Sequence, residues 1–233
     1  MDTEMWKREA AKVAAKLVRD KMVVGLGSGT TVAEIIRVLA KLKSKATFIS
    51  SSSTTQRLAG DLGLKLSSLD VHDKLDLTID GADEVDPDFN MIKGGGGAHT
   101  REKIVAGAAK RVVIVVDRTK LVEKLGERAP VPVEVLPFAR EYTMRKLVGL
   151  GGNPKLRMSP SGAPFITDNG NYVVDTKFRS IPKPAELEQQ INRMPGVIEN
   201  GLFVDVTDIL LVGYSGGCKT LRTKKDFLKF LRS

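Results

Sequence analysis

The first half of the chain alternates short apolar runs with segments of helical periodicity, and this alternation restricts the fold more than any other feature. Four apolar runs predict buried strands, and they read "MVVGL", "ATFIS", "LDLTID" and "RVVIVVD". Four segments with apolar residues at helical spacing accompany them, namely residues 4–19, 31–42, 54–62 and 100–109. Strands that alternate with helices predict a Rossmann-like α/β domain, in which a parallel sheet carries helices on both faces.

The pattern changes after residue 126. The run "APVPVEVLPF" contains three prolines, which favours a linker or an edge strand. A helix is predicted near residues 139–148, and "FITDNGNYVVD" predicts a β-hairpin whose turn is Asn169–Gly170. A second helix near residues 184–193 leads into the predicted strand "GLFVDV". This order of elements predicts a small α+β domain of the ferredoxin-like kind.

The strand-like run "DILLVGYS" and the amphipathic tail are expected to return to the main sheet. The basic residues of the tail are interpreted as the solvated face of a surface helix. The sequence therefore predicts two domains. Residues 1–128 with 207–233 form the Rossmann-like catalytic domain, and residues 129–206 form the small domain, which is a candidate for oligomerisation.

Charge and composition restrict the possible partners. Lysine and arginine exceed aspartate and glutamate by 37 to 28, which gives a net charge of +9 over 233 residues. Aromatic residues make up only 5% of the chain, so a nucleic acid partner is not expected. No apolar run reaches the ~18 residues of a membrane span, and the first residues contain acids that a transit peptide lacks. The single cysteine, Cys218, excludes an internal disulfide and a cysteine-built metal site. These features predict a globular, cytoplasmic protein without a membrane partner.

The motif "GLGSGTT", residues 25–31, joins the first predicted strand to the helix that follows. A glycine-rich turn at a helix N-terminus presents backbone N–H groups and the positive end of the helix dipole, which suit a phosphate. The hydroxyls of Thr30 and Thr31 add donors for an anion. Position 30 lacks the glycine of a dinucleotide fingerprint, and no lysine precedes the threonines as in a Walker A loop. A tight turn that serves helix packing alone is the alternative.

Five carboxylates fall between Asp80 and Asn90. Asp80 is predicted at the carboxyl end of the third strand, and Asp83 and Glu84 lie on the loop above the sheet, where parallel sheets bind their ligands. A solvated acidic turn is the alternative interpretation. The spacing of these acids lacks the alternate-position ligands of a calcium loop, so no metal site is predicted.

The motif "KGGGGAHTREK", residues 93–103, places four successive glycines between Lys93 and a predicted helix. The glycines let the backbone approach a ligand closely, and Lys93 contributes a positive charge. Glu102 falls in the first turn of the helix, where a surface acid that complements the helix dipole is the alternative interpretation. His99 is expected to cap or pack, because the other histidine, His72, lies elsewhere in the chain.

A phosphate turn, a positive site and several carboxylates, without a redox motif, suit proton transfer beside a carbonyl of a phosphorylated substrate. At this point the sequence resembles a known family. The motifs "GLGSGTT", "DGADEVD" and "KGGGGAHTREKIVA", followed by "PVEVLPFA", "TDNGN" and "PGVIENGLF", are similar to those of the type A ribose-5-phosphate isomerases. The resemblance extends in order from residue 7 to about residue 220.

The resemblance implies interconversion of ribose 5-phosphate and ribulose 5-phosphate through an enediolate, without metal or organic cofactor, by a homodimer or homotetramer. It implies that Glu102 is the general base. Asp80, Asp83 and Lys93 match the residues that hold the sugar hydroxyls, assist ring opening and stabilise the oxyanion. His99 departs from the family, which usually has leucine there. Further substrate contacts implied by the matching motifs are Ser28, Gly29, Thr30, Thr31, Gly81, Ala82, Gly94, Gly95, Gly96, Lys120 and Lys7.

Two other classes of protein share part of this pattern. A regulator that senses sugar phosphates would also carry the phosphate turn. It should contain a helix-turn-helix segment, however, and here the N-terminal helix leads directly into a strand. A nicotinamide-dependent oxidoreductase would need an acid or an arginine after the second strand, where this chain has serines.

Overall fold

The computed structural model describes residues 3–232, so residues 1, 2 and 233 of the predicted first domain lie outside the described residues. The chain divides into two compact units. The first comprises the chain up to Ala82, residues 101–121 and the chain from Val206 onward, and the second comprises residues 83–100 and 122–205. The second unit thus includes residues 83–100 and 122–128, which the sequence assigned to the first domain. The roles predicted for the two domains stay predictions.

The elements of the described residues are numbered in chain order. The strands are β1 (Val23–Leu26), β2 (Thr47–Ser50), β3 (Lys65–Leu66), β4 (Leu77–Asp80), β5 (Glu84–Val85), β6 (Met91–Ile92), β7 (Val112–Asp117), β8 (Val131–Val135), β9 (Asn153–Leu156), β10 (Tyr172–Lys177), β11 (Val197–Asn200), β12 (Leu202–Phe203), β13 (Ile209–Tyr214) and β14 (Gly217–Leu221). The helices are α1 (Thr3–Ala15), α2 (Gly29–Lys41), α3 (Ser53–Asp61), α4 (His99–Ala108), α5 (Arg140–Gly149), α6 (Pro184–Asn192) and α7 (Lys224–Arg232). Short 3₁₀ turns occupy Arg118–Lys120 and Pro137–Ala139.

The first unit is built on a seven-stranded sheet in the order β14-β13-β7-β4-β1-β2-β3. All neighbours pair in parallel except β14, which pairs antiparallel with β13 at the edge. Numbered along the chain, the six parallel strands follow the order 3-2-1-4-5-6 of a doubly wound sheet. The order reverses between β1 and β4, which are neighbours. The predicted Rossmann-like sheet is confirmed.

Burial explains why these segments form strands and helices. Every residue of β7 is buried, because a parallel strand in the middle of the sheet is covered on both faces. Helix α2 buries the stripe that its periodicity predicted, which consists of Val32, Ile35, Ile36 and Leu39. Helix α1 lies close to the sheet: a Cβ on Gly213 of β13 would be 2.1 Å from the carbonyl oxygen of Trp6. That close approach requires glycine in β13.

The second unit contains a four-stranded antiparallel sheet in the order β11-β8-β10-β9. Its elements follow one another as β8-α5-β9-β10-α6-β11, which is the ferredoxin-like arrangement that the sequence predicted. Its core contains Val133 and Val135 from β8, Leu147 from α5 and Ile191 from α6. A three-stranded sheet of β12, β6 and β5 completes the unit.

Strand β8 corrects the interpretation of "APVPVEVLPF" as a linker or an edge strand. It lies between β11 and β10, in the interior of the sheet. Its proline is tolerated because of where it falls in the ladder. The carbonyl of Pro132 accepts from Gly201, and the side of Pro132 that lacks an N–H faces the end of β11, whose pairing stops at Asn200.

The predicted hairpin around Asn169–Gly170 is only partly correct. The turn exists, since the N–H of Gly170 donates to the carbonyl of Thr167 at 2.9 Å and Gly170 has a φ of 81°. The segment before the turn makes a single bridge, between Ile166 and Tyr172, instead of a strand. Strand β10 pairs with β8 and β9 instead, and its two consecutive valines, Val173 and Val174, are both buried. The predicted strand "GLFVDV" is shortened to β12, Leu202–Phe203.

No helix within residues 3–232 combines the length and the apolar character needed to cross a membrane.

Candidate active site

In the first unit, the carboxyl ends of β1 and β4 bring a glycine turn and an aspartate together. The carboxylate of Asp80, the last residue of β4, accepts hydrogen bonds from the N–H groups of Ser28 at 3.2 Å and Gly81 at 2.7 Å. A Cβ on Gly27 would lie 1.8 Å from the carboxyl carbon of Asp80. Position 27 therefore has to be glycine if the turn is to approach the buried carboxylate so closely.

Glu102 lies in the first turn of α4 and is only 5% exposed. Its Oε1 accepts a hydrogen bond from the hydroxyl of Ser28 at 2.5 Å. Ser28 is the N-cap residue of α2, yet its side chain makes no capping hydrogen bond. The hydroxyl is directed to Glu102 instead, so Ser28 connects the carboxylate of Glu102 with that of Asp80. Two acids predicted from separate motifs therefore meet at one serine.

The start of α2 has the features of an anion site. Gly29 has a φ of 85° and is exposed together with Thr30, while Thr31 is half-buried. Lys7 of α1 donates from Nζ to the hydroxyl of Thr30 at 3.2 Å and to Glu4 at 2.8 Å. A helix N-terminus with a lysine and hydroxyls beside it suits a phosphate.

Three other residues predicted as substrate contacts lie at the same edge of this sheet. Gly81 and Ala82 directly follow β4. Lys120 ends the 3₁₀ turn that follows β7, and β7 is the neighbour of β4. The carboxyl ends of parallel neighbours lie on one side of a sheet, so these three residues share that side with Ser28.

In the second unit, Lys93 is buried, with 3% of its surface exposed. Its ammonium lies 5.3 Å from the centre of the Phe203 ring, within the range of a cation–π contact. Its backbone N–H donates to the carbonyl of Gly201 at 2.9 Å. The structure thus places a cationic side chain in a buried position immediately before the glycine loop, which comprises residues 94–97.

Hydrogen bonds and packing hold the glycine loop in one conformation. Asp83 accepts from the N–H of Gly95 at 2.8 Å, and the N–H of Gly97 donates to the carbonyl of Gly94 at 2.9 Å. Gly94 has a φ of 104°, and a Cβ there would lie 2.7 Å from the imidazole of His99. The prediction that His99 packs is confirmed, because the ring is fully buried against the loop.

Sequence reasoning missed two residues that contact this region of the second unit. The guanidinium of Arg157 donates to the carbonyls of Gly94 and Gly95, each at 3.0 Å. Glu134, in β8, accepts from the hydroxyl of Thr100 at 2.5 Å. The only sequence signal for Glu134 was an acid inside an apolar strand, and no local pattern marks Arg157.

Glu134 is a fully buried carboxylate. Burial alone would raise the pKa of Glu134, but the hydrogen bonds that it accepts outweigh burial and hold the pKa below its usual value. The donors are the side chains of Thr100, Asn171, Asn169 and Thr167. The carboxylate therefore stays ionised and joins the start of α4 to the "TDNGN" turn.

Within residues 3–232, no group of three or more histidine, cysteine, aspartate or glutamate side chains is arranged to hold a metal ion.

The strand order and the glycine turn at the reversal point, with two buried carboxylates beside it, define a doubly wound α/β protein with a polar site at its switch point. The family model of ribose 5-phosphate isomerase A (phosphoriboisomerase A) matches residues 47–217. The chain belongs to the ribose 5-phosphate isomerase A family.

Individual relatives are similar to this protein over nearly the whole chain. A ribose-5-phosphate isomerase A from Thermosynechococcus vestitus is 52% identical over 213 residues, which cover 89% of this chain and 90% of the relative. The protein of that name from Thermomicrobium roseum is 45% identical over 229 residues and 97% of each chain. Among solved structures, ribose 5-phosphate isomerase A from Methanocaldococcus jannaschii has a TM-score of 0.91 at 43% identity, covering 95% of this chain and 100% of its own. A D-ribose-5-phosphate isomerase in complex with phospho-erythronic acid has a TM-score of 0.93 at 42% identity, with coverage of 95% and 100%.

Proposed function

We propose that the protein interconverts D-ribose 5-phosphate and D-ribulose 5-phosphate through an enediolate, with Glu102 as the general base. The observation that carries the proposal is the contact of Glu102 with Ser28 at 2.5 Å, because Ser28 belongs to the turn that opens α2. A phosphate at that turn would hold the substrate next to a buried carboxylate. Membership of the family supports the choice of reaction.

The phosphate of the substrate carries about −1.5 to −2 charges and needs donors rather than a general base. The N–H groups at the start of α2, the hydroxyls of Thr30 and Thr31, and the ammonium of Lys7 supply them. Lys120 follows the neighbouring strand β7 and is proposed as a further cationic contact. This binding is independent of the chemistry at C1 and C2, so it acts equally on the sugar and on its transition state.

The carbon chain is proposed to react in two stages. Asp80 and Asp83 accept hydrogen bonds from sugar hydroxyls and assist opening of the furanose ring. Glu102 then removes the proton from C2 of the aldose and returns it to C1, while the hydroxyl proton moves from O2 to O1. Lys93 stabilises the negative charge that develops on the enediolate oxygen. Atoms and electrons balance within the substrate, so the reaction consumes no co-reactant.

The decisive experiment combines a direct assay with one variant. The purified protein is incubated with ribose 5-phosphate alone, and the ketose is measured. Turnover without added nucleotide agrees with an isomerase and contradicts both a sugar-phosphate regulator and a nicotinamide-dependent oxidoreductase. Absence of turnover in the folded protein would contradict the proposed function.

Glu102→Gln keeps the shape of the side chain and removes its capacity to accept a proton. We expect kcat to fall by about 10² to 10⁴-fold while KM changes by only a few-fold. The same variant should no longer exchange the C2 proton of ribose 5-phosphate in D₂O. Glu123→Gln, which changes an exposed glutamate, is the matched control. Exchange at the wild-type rate in folded Glu102→Gln would transfer the role of base to Asp80 or Asp83.

We also propose that the protein is a homodimer or homotetramer and that the second unit supplies the interface. Phe138 is fully exposed, and Leu136, Tyr142 and Ile198 are each more than 40% exposed. Exposed apolar groups of this size favour a protein contact. Phe138→Asp should lower the mass measured by sedimentation, whereas Val71→Asp, at an exposed valine of the first unit, should not. An unchanged mass in Phe138→Asp would place the interface elsewhere.

A further inference from the structure

Arg157, the residue after β9, connects an ion pair of the second unit to the glycine loop. Its Nε and one terminal nitrogen donate to the two carboxylate oxygens of Asp175 at 2.8 and 2.5 Å. The other terminal nitrogen donates to the carbonyls of Gly94 and Gly95, each at 3.0 Å. The side chain of Arg157 is 14% exposed, so most of the guanidinium is shielded from water, although its bond to Gly95 is at the exposed part of the loop. The fixed fork of a guanidinium allows both sets of bonds, which the single ammonium of lysine cannot make.

The two carbonyls determine the direction of two consecutive peptide planes. A trans peptide is planar, so its N–H points opposite to its C=O. The first plane joins Gly94 to Gly95, and it is held at both ends, because Arg157 binds its carbonyl and Asp83 accepts from its N–H at 2.8 Å. The second plane joins Gly95 to Gly96, and Arg157 binds its carbonyl, which belongs to Gly95. The N–H of Gly96 therefore points away from the guanidinium.

The loop needs such an anchor because of its composition. Each glycine has more accessible backbone conformations than any other residue, so four in succession are costly to order. Arg157 also covers the end of the loop, since its guanidinium lies 5.6 Å from the centre of the Phe165 ring. A Cβ on Gly97 would be 2.4 Å from that ring. The loop is thus packed and hydrogen-bonded on one side, and exposed at Gly95 and Gly96.

We propose that Arg157, oriented by Asp175, is a positioning residue that holds the glycine loop so that the N–H of Gly96 donates to an oxygen of the substrate. The proposal rests on the proposed function, which assigns this loop to substrate binding. Arg157 itself does not touch the substrate. It acts through the peptide planes. Its loss would displace the N–H of Gly96, and the reaction requires its groups to be aligned to within about 1 Å.

The test uses Arg157→Ala, which leaves space for a guanidinium ion, and Arg157→Lys, which keeps the charge and the apolar stem. We expect kcat for ribose 5-phosphate to fall by about 10- to 100-fold in each, with a smaller change in KM. Guanidinium chloride at tens of millimolar should restore kcat of Arg157→Ala in a saturable manner, and sodium chloride should not. Arg179→Ala, at an exposed arginine of the same unit, is the control and should keep wild-type kinetics.

Amide hydrogen exchange separates this role from a purely structural one. In both variants the N–H of Gly95 should lose protection, while the amides of β8 keep theirs. Wild-type kcat in folded Arg157→Ala and Arg157→Lys would refute the proposal and leave the isomerase assignment intact. A fall in activity that guanidinium does not reverse, together with lost protection in β8, would also refute it, because Arg157 would then serve the stability of the unit. If Arg157→Ala does not fold, the kinetics and exchange of Arg157→Lys decide between the same results. Failure of the wild-type protein to produce ketose would instead contradict the proposed function itself.

Discussion

Replacement of Glu134 by glutamine should destabilise the second unit more than its small change in shape suggests. The carboxylate is fully buried in the interior strand β8. Its Oε1 accepts from Thr167 at 2.8 Å, Asn171 at 2.9 Å and Asn169 at 3.1 Å, and its Oε2 accepts from Thr100 at 2.5 Å. Glutamine offers only one acceptor oxygen, and its amide nitrogen cannot accept a hydrogen bond.

The magnitude follows from these four bonds. A hydrogen bond to a charged group contributes about 1.5–3 kcal/mol to stability, against about 1 kcal/mol for a bond between neutral groups. Glutamine can turn its oxygen toward the three-donor side, and the hydroxyl of Thr100 can rotate to accept from the new amide. All four hydrogen bonds then join neutral groups instead of a charged carboxylate. We expect the free energy of unfolding to fall by about 2–4 kcal/mol. That is a large share of the ~5–15 kcal/mol that stabilises a typical domain.

The effect should depend on pH in a definite direction. The folded-state pKa of Glu134 lies below the value of 4.5 taken for an unperturbed glutamate. A carboxyl whose pKa is lower in the folded state contributes stability that is fully present above the unfolded pKa and is lost as the pH falls through the folded pKa. The difference in stability between the wild-type protein and Glu134→Gln should therefore be largest near neutral pH and become smaller below about pH 4.5.

Urea unfolding followed by circular dichroism at several pH values measures this difference, with Glu123→Gln as the exposed control. The reasoning is refuted if Glu134→Gln unfolds within about 0.5 kcal/mol of the wild-type protein at pH 7, the range of ordinary surface substitutions. It is also refuted if the difference does not decrease in acid, because the charge would then not be its source.

Three further predictions concern the proposed substrate contacts. Replacing Thr30 and Thr31 by valine should raise KM and change kcat little, since phosphate contacts are alike in the ground and transition states; an unchanged KM for ribose 5-phosphate would contradict this. Lys93→Met should lower kcat, because the transition state would lose roughly 2.7–4 kcal/mol of stabilisation, as on loss of an oxyanion donor. Near-normal kcat in the folded variant would make Lys93 a structural residue. Gly27→Ala should displace Asp80, because the new Cβ would lie 1.8 Å from its carboxyl carbon, and should lower kcat/KM by about 10²-fold; full activity would show that the turn adapts.

Most elements of the first unit could be predicted because each is defined by its own local pattern. Strand β3 was missed, and the start of the tail that was interpreted as a helix forms β14, Gly217–Leu221. A buried parallel strand such as "RVVIVVD" is apolar throughout, and the helix after Gly29 shows a clear apolar stripe. Topology then places the carboxyl ends of β1 and β4 side by side, so Asp80 and Ser28 could be expected to meet. The ends of elements were less accurate. Helix α1 was predicted to reach residue 19 and ends at Ala15, because the chain turns there toward β1.

Distant contacts that do not follow from the alignment of strand ends could not be predicted. Arg157 reaches Gly94 across 63 positions, and Glu134 reaches Thr100 across 34. Neither pair leaves a periodic signal, because one side chain contacts one backbone atom or one hydroxyl. The interior position of β8 was missed for a related reason. Proline argues against a central strand unless the missing N–H falls where the ladder ends, and only the register with β11 shows that it does.

The segment from Lys93 to Thr100 shows why these distant contacts matter for the proposed chemistry. Lys93 begins the segment and Glu102 follows two residues after its end, so the two proposed chemical groups are joined by the four glycines that have the greatest backbone freedom. Asp83 and Arg157 hold the loop at Gly95 and Gly94, and Glu134 holds Thr100 at the start of α4. The conformational entropy of the glycines is therefore lost when the chain folds and not when the substrate binds. A loop ordered in advance favours aligned reacting groups, and it explains why an arginine outside the reaction should affect kcat while the buried glutamate affects stability.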